Sequence, residues 1–398
     1  MLLQVFKLNM TVREWGLLVV LFLVEFTRGA LFLTFLPIYS VKFLGISTAA
    51  VGMSVSAHYL VETLFKGTAG LFFDRHGRII ILIGLTTSFV GIIGLAYAKN
   101  SILQFAAAAI LGFGVSPLWL AVISLVAPVE MPNRASRMGA IFAFWLGGMG
   151  SGPVLINFFI SRSYHSAAAL LISLFGIAVI LAYFAFPNQA NSYGSDVNSG
   201  LWQELKRLAN LSTVTRVLLP GMFLQTLAAS LLLPILPLYA DNVLGLNHSQ
   251  YAILLICGGA GTLLFLIPMG KLVDRLPLKL LLVTGFGLSA LLLFTFTLSN
   301  NLLYVYSLAA LVGTAYAIVL PAWNALLAKV ISVEMQATGW GIFGTIEGLG
   351  IATGPALGGV IAELLGPVGT IYCSSFVLSI MALFYIMYPI NITLKGEG

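Results

Sequence analysis

Five ionisable residues lie inside long apolar stretches of the sequence, and their side chains are the ones most able to do chemistry there. They are Glu25, Arg28, His58, Glu62 and Lys66. An ionisable group at the centre of a membrane helix costs about 2.5–3.5 kcal/mol on insertion scales, so such groups are usually functional. Residues three or four positions apart share a helix face, which places Arg28 beside Glu25 and the other three on one stripe. A shielded carboxylate can load and release a proton, and a guanidinium can donate to substrate oxygens.

Two interpretations of these five residues remain open. In the first, they only neutralise one another, Glu25 with Arg28 and Glu62 with Lys66. Buried pairs of this kind add little stability, because desolvation can exceed the Coulomb gain. In the second, which we favour, they line a water-filled cavity. Glu25, Glu62 and His58 are then candidates for proton coupling, although His58 could equally be a packing residue. Glu62 is the better proton carrier if Arg28 pairs with Glu25 and keeps it ionised. Arg28 and the two glutamates are candidates for binding substrate.

The composition identifies the solvent around these side chains. Of the 398 residues, 60% are hydrophobic and 8% are charged, against about 25% charged in soluble proteins. A soluble fold is therefore excluded, and the 41 glycines suit closely packed membrane helices. Cys257 and Cys373 lie in apolar runs and are expected to be buried and reduced. The net charge is +6, and most of the basic residues lie in short loops between apolar spans. This distribution indicates membrane topology rather than a nucleic-acid partner.

Runs of about 20 apolar residues, the length that crosses a hydrocarbon core of about 30 Å, predict twelve transmembrane helices. The predicted spans are residues 14–36, 49–73, 79–98, 103–127, 137–160, 166–187, 217–240, 249–271, 279–298, 302–327, 338–363 and 367–390. Most Lys and Arg residues fall in loops that share one side, and positively charged short loops stay in the cytoplasm. We therefore expect an all-α, multi-pass protein of the cell membrane with both termini cytoplasmic.

The chain repeats itself at a shift of 200 residues. Leu36, Pro37, Tyr39, Leu44 and Gly45 match Leu236, Pro237, Tyr239, Leu244 and Gly245, and Gly70, Asp74 and Arg75 match Gly270, Asp274 and Arg275. The repeat predicts two pseudo-symmetric six-helix bundles, residues 1–187 and 217–398. A polar cytoplasmic linker, residues 188–216, joins them and includes a short amphipathic helix near residues 201–208. Parallel repeats are used for alternating access, with the site near the bilayer midplane.

The loop after the second span has a specific pattern. It reads Gly70-Leu-Phe-Phe-Asp74-Arg75-His-Gly77-Arg78, and a degraded copy runs from Gly270 to Lys279. The pattern resembles the signature loop of the major facilitator superfamily. Its aspartate can sit at a neighbouring helix N-terminus and its arginines can bridge to acidic partners, which would hold one side of the protein shut. We predict gating roles for Asp74, Arg75, Arg78, Asp274 and Arg275. A plain positively charged loop is the alternative.

A glycine pattern marks spans 5 and 11. Span 11 has the complete series Gly341, Gly350, Gly354, Pro355, Gly358 and Gly359, and span 5 has Gly139, Gly148, Gly152 and Pro153. Glycines at this spacing make a smooth helix face for close packing. The pattern resembles the superfamily's antiporter motif, which normally belongs to span 5. Here Ile156 and Asn157 replace the last two glycines of the first copy.

The five ionisable residues named above all lie in spans of the first half, whereas the spans of the second half contain one central acid, Glu347. A cavity with one polar and one apolar wall suits a ligand with a hydrogen-bonding head and an acyl body. Trp119 and Trp145 could offer flat faces to a sugar head. Aromatic rings in membrane helices are more often packing residues or interface anchors, so both interpretations stay open.

Short sequences in five spans match a narrower family. They are Phe22-Leu-Val-Glu25-Phe-Thr-Arg28-Gly29, Ser116-Pro-Leu-Trp119, Phe144-Trp145-Leu-Gly147, Pro234-Ile-Leu-Pro237 and Leu320-Pro321-Ala-Trp323-Asn324. They resemble the flippases that move the glycolipid anchor of lipoteichoic acid in Gram-positive bacteria. The resemblance implies proton-coupled antiport of diglucosyl-diacylglycerol from the inner to the outer leaflet. Association with the enzymes of lipoteichoic acid synthesis is a further expectation.

The same resemblance implies a set of site residues. In that family Glu25, Arg28, the acid at position 62, Trp119 and Trp145 would form the pocket for the sugar. The family acid at position 62 is aspartate, whereas this chain has glutamate. The additional methylene preserves the charge and alters its reach.

A proton-coupled multidrug exporter of the same superfamily is the alternative function. It would retain part of its substrate range after substitution of Trp119 or Arg28, whereas glycolipid flipping would be lost. A non-transporting sensor with the same fold is a further alternative. The sequence has no recognisable metal-ligand spacing, phosphate loop or nucleophile set beside a base. We therefore expect no enzymatic activity, no metal and no cofactor.

Overall fold

The computed structural model describes residues 10–128, 131, 134–188, 218–273, 275–328 and 336–387. The predicted linker beyond residue 188, its amphipathic segment and Asp274 lie outside the described residues. Within the described ranges the secondary structure is helical, without strands. This agrees with the all-α prediction from the apolar runs.

Six helices form the first half of the described chain. They are α1 (Val12–Phe43), α2 (Thr48–His76), α3 (Arg78–Tyr97), α4 (Ser101–Val126), α5 (Arg134–Ile160) and α6 (Tyr164–Ala185). Polar side chains accept from backbone N–H groups at several starts: Thr11 caps α1, Ser47 caps α2, Asn100 caps α4 and Ser163 caps α6. These bonds satisfy donors that have no partner within the first turn of a helix.

The second half is built from α7 to α12. They are α7 (Leu219–Ser230 and Leu236–Asn242), α8 (His248–Val273), α9 (Leu278–Thr295), α10 (Leu302–Ala328), and one helical stretch, Gln336–Met387, that Gly366 divides into α11 (336–365) and α12 (367–387). Gly366 has φ 76°, which L-residues with side chains rarely adopt. The prediction of a single helix at 217–240 is wrong, because a turn at residues 231–235 divides α7.

The first helix is longer and less regular than its predicted span of 14–36. After an α-helical part, Val12–Ala30, it continues through two π-helical segments, Leu31–Phe35 and Tyr39–Phe43. Segments of π-helix are rare and are frequent near functional sites. The first of them begins three residues after Arg28.

Nine helical stretches in the described part of the chain are long and apolar enough to cross a membrane. They include α1, α3, α4, α5 and α6 in the first half and α8, α9 and α10 in the second, with the α11–α12 stretch as the ninth. Many large apolar side chains on these helices are exposed, as a lipid solvent allows. The chain is thus a multi-pass helical membrane protein, and the count of twelve spans stays a prediction. Cys257 and Cys373 are free but only partly buried, because each lies on a helix with a largely open surface.

The chain divides into two compact units, Met1–Gly194 and Ser195–Gly398. Within each unit the helix pairs are the same: α1 packs on α5 and α2 on α4, as α7 packs on α11 and α8 on α10. Gly45 and Gly245, which the sequence aligned at a shift of 200, have φ values of 66° and 65°. The internal repeat therefore extends to backbone conformation.

Glycines mark the closest helix contacts in both units. A Cβ on Gly112 of α4 would lie 2.1 Å from the His58 carbonyl oxygen of α2, and one on Gly313 of α10 would lie 2.0 Å from that of Gly258 of α8. Gly148 and Gly152 of span 5 and Gly350, Gly354 and Gly358 of span 11 act in the same way, whereas a Cβ on Gly139 would meet nothing within 4 Å. Gly148 approaches the backbone of α1, and Gly350 approaches that of α7. Small residues let membrane helices pack backbone to backbone, as the glycine pattern predicted.

Candidate functional site

Arg28 is the centre of a polar cluster inside the first unit. Its Nη1 donates to Oε1 of Glu25 at 2.7 Å, one turn earlier on α1. Its Nη2 donates to Oε2 of Glu62 on α2, and its Nε donates to Nε2 of His58 at 3.2 Å. We call Glu25, Arg28, His58 and Glu62 the charge cluster. Four of the five ionisable residues picked out in the sequence thus meet at one guanidinium.

The charge cluster is shielded from solvent. Glu25 is 4% exposed, Arg28 6% and His58 0%, whereas the side chain of Glu62 is 12% exposed. Two carboxylates face one guanidinium, so the ionised cluster itself carries one net negative charge, and the ammonium of Lys66, outside the cluster, acts on Glu25 electrostatically. One oxygen, Oε2 of Glu25, is buried without a hydrogen-bond partner. Burial of an unpaired charged oxygen is costly, so either a proton bound to this atom or a hydrogen bond donated to it would be favourable.

The hydrogen bond from Arg28 fixes the role of His58. Because the guanidinium can only donate, Nε2 of His58 must accept and carries no hydrogen in this arrangement. The imidazole is also packed between rings, 4.6 Å from Phe32 and 4.9 Å from Tyr59 between ring centroids. In this geometry His58 is a neutral acceptor that holds the guanidinium in place.

Sequence reasoning missed the aromatic wall of the charge cluster. Tyr59 lies under Arg28, with Cζ 5.6 Å from the ring centroid, and Phe32 packs on His58. A ring face attracts a cation at this distance. No spacing rule marks either residue, since their rings meet the cluster only after α1 and α2 pack.

The described side chains do not form the ion pair between Glu62 and Lys66 that the first interpretation of the sequence included. Glu62 pairs with Arg28 across two helices rather than with the lysine one turn along its own helix. The side chain of Lys66 is partly exposed. A long, strongly hydrated ammonium can extend to water, whereas the planar guanidinium of Arg28 spans two carboxylates at once.

The two candidate tryptophans also meet. The ring centroids of Trp119 on α4 and Trp145 on α5 are 5.8 Å apart. Phe142, which the sequence analysis missed, completes the group at 5.6 Å from Trp119 and 6.3 Å from Trp145. We call these three residues the aromatic cluster. All three rings are partly exposed, so they can contact a ligand as well as one another.

Helix α5 links the aromatic cluster to the charge cluster. Trp145 precedes Gly148 by three residues and shares its helix face. A Cβ on Gly148 would lie 3.2 Å from Cβ of Glu25, so this face of α5 abuts α1 beside the charge cluster. The predicted binding residues therefore form two groups on adjoining helices of one unit.

Three of the five predicted gating residues, Asp74, Arg75 and Arg78, lie at the junction of α2 and α3. Asp74 and Arg75 are exposed at the end of α2, and Gly77 makes the turn with φ 59°. Arg78 has a different partner from the acidic one expected, since its Nη1 donates to the Tyr183 carbonyl oxygen at 2.9 Å. A helix C-terminus leaves carbonyl oxygens unpaired, and a basic side chain satisfies one of them.

The second unit has a matching contact. Nζ of Lys279, at the start of α9, donates to the Ile386 carbonyl oxygen at 2.9 Å, near the end of α12. Lys279 ends the degraded copy of the loop, as Arg78 ends the first copy. Arg275 is exposed in the turn between α8 and α9. Among the described residues, His, Cys, Asp and Glu side chains form no group arranged to hold a metal.

Comparison with protein families identifies the class of membrane protein to which this helical fold belongs. A family model described as Major Facilitator Superfamily matches residues 17–216 and 218–395. The chain therefore belongs to the major facilitator superfamily, as its signature loop and repeat predicted.

Curated relatives narrow the comparison. The chain is similar to the proton-coupled antiporter flippase LtaA of Staphylococcus saprophyticus, with 30% identity over 388 residues, 96% of this chain and 95% of the relative. Flippases of the same name from Staphylococcus haemolyticus and Staphylococcus aureus strain N315 are both 29% identical, and the matches cover 94% of this chain and 93% of each relative. The resemblance to flippases found in the sequence is thus confirmed over nearly the whole chain.

Solved structures show the same fold at lower identity. The nucleoside transporter NupG matches with a TM-score of 0.77 and 14% identity over 95% of this chain and 100% of that protein. A POT family transporter in complex with a thioalcohol-conjugated peptide matches with a TM-score of 0.72 and 13% identity over 94% of this chain and 95% of that protein. Their ligands carry no information for this chain at such identities.

Proposed function

We propose that this protein is a proton-coupled antiporter that flips a glycolipid from the inner to the outer leaflet of the cell membrane. The expected substrate is diglucosyl-diacylglycerol, the anchor of lipoteichoic acid. Membership of the superfamily and the name of the curated relatives support this function. The observation that carries it is the charge cluster, which holds two carboxylates and one guanidinium inside a membrane helix bundle.

The charge count of the cluster supports proton coupling. With His58 neutral, one bound proton brings the cluster to zero net charge, which the low dielectric of the site favours. Glu25 is the residue that holds this proton in the closed arrangement, because protonation of its unpartnered Oε2 sacrifices no hydrogen bond. Glu62 is the more exposed carboxylate and exchanges the proton with water.

The same atom explains why proton and substrate move in opposite directions. Oε2 of Glu25 can bear a proton or accept a hydrogen bond from a sugar hydroxyl, but the two compete for one oxygen. A hydroxyl that donates to the carboxylate favours its ionised form, so binding of the sugar releases the proton. Arg28 then donates to the sugar oxygens. Antiport requires that proton and substrate are not bound together, and the competition for Oε2 meets this requirement.

The aromatic cluster is the platform for the sugar rings. Flat, partly exposed rings of Trp119, Trp145 and Phe142 offer apolar faces for the C–H side of a pyranose. Their position on α4 and α5, next to the α1 face that carries Glu25, places ring stacking and hydroxyl recognition on adjoining helices. The acyl chains need no polar recognition and stay in apolar surroundings.

The finer architecture belongs to the same proposal. We propose twelve spans in two six-helix bundles, residues 1–187 and 217–398, with both termini cytoplasmic and alternating access as the transport mechanism. Asp74, Arg75, Arg78, Asp274 and Arg275 then gate the cytoplasmic side. No step requires a covalent change in the glycolipid, a metal or a cofactor.

The test is transport in proteoliposomes that contain a fluorescent diglucosyl-diacylglycerol. Purified protein is expected to move the lipid between leaflets faster than protein-free vesicles, and a pH gradient is expected to bias its distribution. The variant Arg28→Ala should abolish both effects, and Arg13→Ala, which removes an exposed charge on the same helix, should not. If Arg28→Ala still moves unrelated amphiphiles, the multidrug exporter is favoured instead. If the wild-type protein moves no lipid, the flippase proposal is refuted.

A further inference from the structure

A partly buried acid lies in the other unit, apart from the residues used above. Glu347 is near the middle of α11 and reaches two neighbouring helices. Its Oε1 accepts from Nε2 of Gln225 on α7 at 3.1 Å and from Nε1 of Trp323 on α10 at 3.0 Å. The sequence analysis noted Glu347 as the one central acid of the second half and gave it no role.

The surroundings of Glu347 are rigid and neutral. The Trp323 indole is 2% exposed and packs in the apolar core beside Tyr385, with ring centroids 6.4 Å apart. Its N–H has a fixed direction, so it holds Oε1 in one place. Both hydrogen bonds end on Oε1, which leaves Oε2 available for a proton.

Within its own unit, the described residues give Glu347 no ion pair. The α7 segment Leu219–Ser230 contains no titratable residue. On α10 the titratable group within electrostatic range is Tyr316, and on α12 Tyr385 faces Trp323. Both are phenols that are neutral at physiological pH. The contrast with the charge cluster is direct, because Glu25 and Glu62 share a guanidinium and Glu347 has only neutral donors.

We propose that Glu347 is a second proton-binding site, located in the C-terminal unit and independent of Arg28. An uncompensated carboxylate at this depth is unfavourable, so the side chain is a neutral acid while its site is closed to water. It ionises when water enters and hydrates Oε2, while Trp323 and Gln225 continue to hold Oε1. Its proton therefore loads and leaves with the opening and closing of this unit, and it adds to the proton carried by the charge cluster.

This inference rests on the proposed proton-coupled transport. It predicts that loss of Glu347 lowers the number of protons coupled to each transport step. For each proton coupled to transport, one unit of pH gradient shifts the limiting lipid distribution about tenfold. The variant Glu347→Gln should reduce the gradient-driven distribution by about that factor and leave flipping without a gradient within about twofold. Thr353→Val, an isosteric change on the same helix, is the control.

The amide of Glu347→Gln retains an acceptor for Trp323, whereas Glu347→Ala does not. A purely structural role predicts that the glutamine variant behaves as wild type in both assays and that the alanine variant alone is impaired. This result would overturn the proposal. Equal loss of flipping with and without a gradient in the glutamine variant would also overturn it.

A spectroscopic measurement keeps the inference separate from the transport proposal. Infrared difference spectra of the purified protein between low and high pH should contain a protonated-carboxyl band that Glu347→Gln lacks. Trp323→Phe removes one hydrogen bond to the ionised form, so in this variant the band should persist to higher pH. The wild-type protein could move no glycolipid while the band is lost in Glu347→Gln and persists to higher pH in Trp323→Phe. In that case only the transport proposal fails. A band unchanged in both variants would refute the proton site.

Discussion

Nε of Arg28 donates a hydrogen bond of 3.2 Å to Nε2 of His58, so two residues that are basic in water meet with only one of them charged. A proton on Nε2 would place two cations in contact. The geometry therefore makes His58 a positioning residue for Arg28, and the proton belongs to the carboxylates on the other side of the guanidinium.

This assignment predicts the behaviour of His58→Gln. The glutamine side chain oxygen can accept from Arg28 but cannot be protonated at physiological pH. Flipping should be slowed, because the buried site is repacked, and the response to a pH gradient should persist. Transport assays at a series of external pH values would measure both quantities. Complete loss of the gradient response with flipping retained would show that His58 carries the proton.

Removal of Arg28 should destabilise the first unit strongly. Arg28→Ala leaves the carboxylate of Glu62 without a cation, beside the protonated Glu25, and breaking a buried pair costs about 3–5 kcal/mol. The double variant Arg28→Ala with Glu62→Gln should recover part of this loss, since it removes one unpaired charge. Thermal unfolding in detergent would test the order of the three proteins. Additive losses in the double variant would contradict the shared ion pair.

The two glutamates should differ in how stability depends on pH. In the proposed arrangement Glu25 keeps a proton that the unfolded chain loses, so the stability of the wild type should fall as rising pH removes this proton. Glu25→Gln imitates the protonated form and should flatten this slope, and it should reduce coupling by the proton that Glu25 carries. Unfolding temperatures of the two proteins between acid and alkaline pH would measure it. An unchanged slope in Glu25→Gln, with a flattened one in Glu62→Gln, would move the proton to Glu62.

Phe142 should contribute to recognition of the sugar head. Phe142→Ala removes one ring of the aromatic cluster, and a ring contact contributes about 0.5–1.5 kcal/mol, so affinity should fall by a factor of about 2 to 13. Quenching of tryptophan fluorescence by a detergent with a diglucoside head would measure this affinity. Phe158→Ala, an equally exposed phenylalanine on the same helix, should bind as the wild type does. Equal losses in both variants would assign Phe142 to general packing.

The repeated glycine contacts should be equally intolerant of a side chain. Gly112→Ala and Gly313→Ala each force a Cβ against a backbone carbonyl oxygen, and overpacking costs about 1–3 kcal/mol or more. Gly67→Ala and Gly259→Ala, where a Cβ meets nothing within 4 Å, should be neutral or slightly stabilising. Unfolding temperatures of the four variants provide the comparison. Similar values for all four would contradict the backbone contacts of these helix pairs.

Local and periodic properties of the molecule could be read from the sequence. The apolar run lengths predicted the helices, and the shift of 200 residues aligned Gly45 with Gly245, whose backbone conformations agree in the structure. The pair of Arg28 with Glu25 was also predictable, because residues three apart lie on one helix face whatever the rest of the protein does.

Contacts between helices were decided by the tertiary structure alone. Glu62 pairs with Arg28 rather than Lys66, Phe142 joins the two tryptophans, and Arg78 binds a carbonyl oxygen instead of an acid. Each of these contacts depends on how a helix is rotated about its axis and where it crosses its neighbour. Spacing along one helix determines which residues share a face, but packing against other helices determines what that face meets.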